Sequence, residues 1–139
     1  MANMSAYLQK KLLQHIFRTP TFHKPTKLAI ALCKGTVTKN DTGASIPEVT
    51  NSFNYQRFLL NPSDANWEKI IFDQTANSKV IKFEANGGNW GLITDVAILD
   101  NNIHGSGNLL FFAKLSPPKM IRNQNILRFP ISQLITKLT

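Results

Sequence analysis

Two apolar runs joined by a polar turn lie within residues 89–115, and the pattern predicts a β-hairpin. Leu92, Thr94, Val96 and Ile98 fall on one side of its first strand, and Ile93, Asp95, Ala97 and Leu99 on the other. Both faces are mostly apolar, which places the strand inside a sheet covered on both sides. Asp100, Asn101 and Asn102 end it, because their side chains bond nearby backbone and tolerate left-handed conformations. A glycine-rich polar turn over 104–108 leads into a second apolar run, 109–115. Pro117 and Pro118 are expected to stop that run, since proline has no N–H to give to a ladder. Two strands of this length are not stable alone, so the remaining chain must supply the layers that cover them.

Upstream, Ser5 is placed to cap a helix reaching to about residue 18. Leu8, Leu12, Leu13, Ile16 and Phe17 recur at helical spacing, with Gln9, Lys10, Lys11 and Gln14 opposite, and Pro20 and Pro25 bar extension. The stripe is expected to dock on a sheet. Insertion into a neighbouring subunit is the alternative; a membrane-surface role is disfavoured by the few cations on the polar face. Residues 27–33 read as an interior strand, and 34–54 as a long polar loop of the kind that usually binds something. Further strands are expected at 55–60, 67–72, 80–83, 119–122, 126–129 and 134–138. One helix and about eight short strands predict a mainly β chain, an antiparallel β-sandwich forming a single domain over 1–139. No second long helix is available for the crossovers of a parallel sheet.

Charge narrows the partners. The 139 residues carry a net charge of +8, and residues 1–57 hold eight basic side chains against only Asp41 and Glu48. Such a field favours an acidic partner: nucleic acid, an anionic membrane surface or an acidic protein face. The candidate contact residues are Lys10, Lys11, Lys24, Lys27, Lys34 and Lys39. Nucleic acid is disfavoured, because Phe58, Phe72, Phe83, Phe111, Phe112 and Phe129 lie in apolar runs and read as core rather than as stacking platforms. The lone Cys33 excludes an intrachain disulfide and reads as a small buried side chain. No signal-peptide pattern and no apolar run of the ~20 residues a membrane span needs is present, so folding in a reducing cytosol is expected.

Catalytic chemistry finds no constellation. His15, His23 and His104 lack partners at metal-ligand spacing, and Gly87-Gly88 and Gly105-Ser106-Gly107 lack the lysine and helix of a phosphate loop. Asp95 sits mid-strand among apolar residues, where its simplest role is to bond a loop backbone or a nearby Lys or Arg. A lone carboxylate carries no mechanism. The expectation is a non-enzymatic protein with no cofactor and no metal.

Several segments carry a likeness in the same order along the chain. They are Ser5-Ala6-Tyr7-Leu8 with residues 11–17, then Phe22, Pro25 and 28–32; Asp41-Thr42-Gly43 and Glu48-Val49; Asn89-Trp90-Gly91 with 94–100; 107–111; and the apolar pattern of 126–138. With these the chain resembles small tailed-phage structural proteins, a group labelled phage structural, tail-fibre or capsid decoration proteins. Residues 53–57, Phe-Asn-Tyr-Gln-Arg, depart from the Gly-rich approach of that group. The resemblance implies a virion component made in the host bacterial cytoplasm, without a catalytic site. The leading expectation is a capsid decoration or cement subunit on the assembled shell, with tail-fibre or tail-adaptor placement as the alternative and a small nucleic-acid-binding module as the other class. Expected partners are the major capsid protein or tail proteins, with self-association as a dimer or trimer.

Overall fold

The computed structural model describes residues 2–138. The fully buried Ala29–Cys33 (β2) pairs antiparallel with Gly91–Leu99 (β6), which in turn pairs with Leu109–Ile121 (β7). Two short edge strands complete this five-stranded sheet: Asn3–Met4 (β1) on β7 and Phe58–Leu59 (β3) on β2, in the order β1-β7-β6-β2-β3. Ile81–Glu84 (β5) with Ile126–Phe129 (β8) forms one two-stranded ribbon, and Gln74–Ala76 (β4) with Ile135–Lys137 (β9) forms another. The helix Ala6–Phe17 (α1) lies between β1 and β2 in the chain. The chain is mainly β, antiparallel, with a helix near the N-terminus, as the hydrophobic pattern predicts.

The alternation of β2 and β6 sorts their side chains onto two faces. Ile30, Leu32, Val96 and Ile98 join Ile81, Phe83, Leu127 and Phe129 of the β5–β8 ribbon in the larger core. Ala31, Cys33, Ala97 and Leu99 face the other way and are closed by Val37 and Ile46. The second face is thus covered by the 34–54 segment, which has a structural task of its own. That segment contains no helix or strand, yet backbone bonds tie it down at Lys34 N to Pro47 O (2.8 Å), Val49 N to Leu32 O (3.0 Å) and Gly43 N to Gly107 O (3.0 Å). Gly43 has to be glycine: a Cβ there would lie 2.0 Å from the Ser106 carbonyl oxygen.

Three elements differ from the pattern reading. First, β7 runs through Pro117 and Pro118 and absorbs the strand expected at 119–122. Ile93 pairs with Lys119 and Asp95 with Lys114, so residues 115–118 bulge out opposite Thr94 alone. The prolines sit where no ladder bond is asked of them. Second, residues 67–72 are not a strand. The chain reverses at Phe72-Asp73, with Ile71 and Gln74 exchanging backbone bonds of 3.1 and 3.2 Å, and pairing begins at β4. Phe72 takes φ +57°, a left-handed conformation more usual for Gly or Asn, and only Asp73 beside it is a turn-forming residue. Third, only the first half of the α1 stripe docks. Ser5 caps the helix, accepting from Leu8 N (3.1 Å) while its hydroxyl donates to Leu109 O (2.5 Å), and Leu8 packs on Met4 and Leu110. Leu13, Ile16 and Phe17 stay 59, 68 and 75% exposed.

Candidate functional site

Two features stand out: a buried polar knot that fixes the loops, and a surface cleft beside bare apolar side chains. The knot centres on Arg57. Its guanidinium grips Glu48 bidentately, Nε to Oε2 at 2.9 Å and Nη2 to Oε1 at 2.8 Å. Nη1 donates to the carbonyls of Asn101 (2.9 Å) and Ser106 (2.8 Å), and Nη2 to that of Gly43 (3.3 Å). Tyr55 donates to Glu48 Oε2 at 2.6 Å and accepts from Leu32 N at 3.1 Å. Burial, and after it the Glu48 charge, raises the Tyr55 phenol well above its ordinary range. One ion pair therefore joins the 34–54 segment, the 100–108 turn and β2. The charge-assisted, bidentate geometry holds the surface loops in one arrangement.

Asp95 behaves as a buried mid-strand carboxylate is expected to. It accepts from the loop amide of Val37 at 3.0 Å and faces Lys114 Nζ at 3.4 Å. Cys33 is fully buried; burial first, and then the Glu48 and Asp95 charges, push its thiol up to about 12. A thiol so held is not a nucleophile at neutral pH. His104 bonds the Val49 carbonyl at 2.8 Å, and His15 Nδ1 accepts from Phe22 N at 3.1 Å. Among the described residues no group of three or more His, Cys, Asp or Glu is arranged to hold a metal ion.

The cleft has a volume of about 820 Å³. Leu28, Ile98, Phe111 and Trp67 give it an apolar lining, with the Trp67 indole held by a 3.1 Å bond to Leu60 O. The Phe72 turn stands over one side, with Phe72 98% exposed and Ile70 and Ile71 exposed beside it. An aromatic side chain on a strained backbone and bare to solvent is a costly arrangement for a fold to keep.

These observations describe a protein that holds its loops stiff and offers apolar surface outward. The model of the family described as Podophage GP4 fiber I protein gp80 matches residues 3–137. The chain belongs to this gp80 fibre family. The resemblance to tailed-phage structural proteins is thereby confirmed. No curated protein matches the chain.

The structure of this gp80-family chain does not gather the six candidate lysines into one patch. Lys10 and Lys11 lie on α1, with Lys11 Nζ 5.8 Å from the Tyr7 ring centre. Lys24 lines the cleft, and Lys27 reaches Asn102 Oδ1 at 3.5 Å. Lys34 lies along Gly91, beyond the far end of β2 and on the order of 20 Å from Lys27 at strand rise. Lys39 is exposed, and its backbone carbonyl receives Ala6 N at 2.8 Å. The pattern reading missed the Arg57–Glu48 knot. Its only signal was two opposite charges nine residues apart, flanking the apolar Val49 and Tyr55. It also read Phe72 as core, because nothing in the residues before it announces a reversal.

Proposed function

We propose that the chain is a non-enzymatic structural component of a tailed-phage fibre, working by adhesion to neighbouring virion proteins. The single observation that carries this is the family match across residues 3–137, to a family described as a fibre protein. That description favours fibre placement over the capsid decoration role expected from the resemblance. The rigid loop knot and the exposed apolar side chains support an adhesive role, since an assembly subunit gains affinity by presenting a surface that needs no ordering on contact. Association with a lattice or fibre stabilises the assembled state by mass action, without chemistry.

Copy number tests the reading. Quantitative mass spectrometry of purified particles, normalised to the major capsid protein, is expected to give a few to a few dozen copies, with gold-labelled antibody at the tail. Hundreds of copies spread over the head would overturn fibre placement in favour of shell decoration. Absence from washed particles would remove the virion role altogether.

A further inference from the structure

The bare end of α1 and the cleft have complementary chemistry. Leu13, Ile16 and Phe17 stand at i, i+3 and i+4, the spacing with which an amphipathic helix fills an apolar groove. In their own molecule these side chains stay outside the cleft, because the first turn of α1 is pinned to β7 through Ser5 and Leu8. The helix carries Lys10 and Lys11, is followed by Arg18, and contains no acid. The cleft reverses that balance. Asp64, Glu68 and Asp73, three of the eight acids in a chain of net charge +8, line it together with Lys24 and Lys69. Asp73 also faces Lys137 at 3.8 Å and Glu68 accepts from Ser132, whereas the Asp64 side chain has no ion-pair or hydrogen-bond partner among the described residues.

We propose that the occupant of the cleft is the α1 helix of a second copy of this chain. Leu13, Ile16 and Phe17 of one copy enter between the Phe72 turn and the sheet of the next, and the basic flank of the helix meets the acidic rim. The inference deepens the fibre reading and rests on it for its biological sense: a subunit that repeats along a fibre needs a contact between copies. Knob and hole are different surfaces of the same chain, so the contact is directional. Such a contact either closes a ring or extends a chain. Net repulsion between two basic copies is screened within about 10 Å at 0.1 M salt, whereas the apolar part of the contact is not.

Sedimentation velocity of the full chain at physiological salt tests the proposal. The weight-average mass is expected to rise with concentration. Phe17→Glu, on the helix, and Ile70→Arg, on the cleft wall, are each expected to abolish the rise; both residues are well exposed, and circular dichroism checks that both variants fold. The mixture decides the matter. A Phe17→Glu copy keeps its cleft and an Ile70→Arg copy keeps its helix, so equal amounts should form a one-to-one pair that neither forms alone. A wild-type chain that stays monomeric, variants that associate like the wild type, or a mixture that stays monomeric would each overturn the contact. None of these results would disturb the copy-number measurement, which judges the fibre reading separately.

Discussion

At the residue scale, Arg57 decides how well the loops are held. Arg57→Ala leaves the Glu48 carboxylate buried without its partner and three carbonyls without donors, and is expected to destabilise the fold by about 3–5 kcal/mol in urea denaturation. The double change Arg57→Met with Glu48→Leu removes both charges and should cost clearly less, because an apolar pair avoids the uncompensated ion. Cys33 gives a second expectation. Its thiol ionises near 12 in the fold but near its ordinary value of 9.0 once unfolded, so the stability it contributes is whole below pH 9 and is lost as pH rises toward 12. Tyr55, also held above its ordinary 10.0, steepens the loss at the alkaline end. The urea midpoint should therefore fall above pH 9, and Cys33→Ala should flatten the first part of that fall. Asp95 was readable from the sequence because a buried strand carboxylate has few ways to be satisfied. Arg57 was not, since its partners come from two separate loops, 34–54 and 100–108, that no local spacing relates.

At the scale of elements, the apolar period fixed β2, β5, β6 and β8 within a residue or two, and the capped start of α1. It failed where a local rule met a tertiary exception. Proline's missing N–H implied a strand end, but a four-residue bulge opposite Thr94 lets β7 continue. An apolar run implied a strand over 67–72, but the reversal at Phe72 uses a left-handed phenylalanine. The turn yields a prediction: Phe72→Asn relieves the backbone and removes a bare ring, and should raise stability by about 0.5–1 kcal/mol in thermal unfolding. Helix docking yields another. Ser5→Ala removes the cap on Leu8 N and the donor to Leu109 O, and is expected to cost about 1–2 kcal/mol by the same measurement.

For the whole molecule, the sequence carried the class and its basic charge but not the distribution of either. The candidate lysines lie on α1, at the cleft, around both ends of β2 and in the 34–54 loop. Among the described residues, six of the fifteen exposed large apolar side chains, Leu13, Ile16, Phe17, Ile70, Ile71 and Phe72, sit at one helix end and one turn. Binding dominated by such surface should weaken little with salt, whereas nucleic-acid binding falls steeply as counterions are retained. Fluorescence anisotropy with labelled duplex DNA is expected to detect only weak binding that vanishes between 50 and 200 mM salt.

The proline bulge of β7 reaches further than its own ladder. β1 covers β7 only at Phe111 and Phe112, and the stretch beyond carries Pro117 and Pro118 on exposed backbone. An open margin of that kind invites indiscriminate strand addition when many copies crowd together, and two adjacent rings without N–H groups refuse it. The fold thus keeps one of its long borders deaf to its own kind, leaving recognition between copies to side chains.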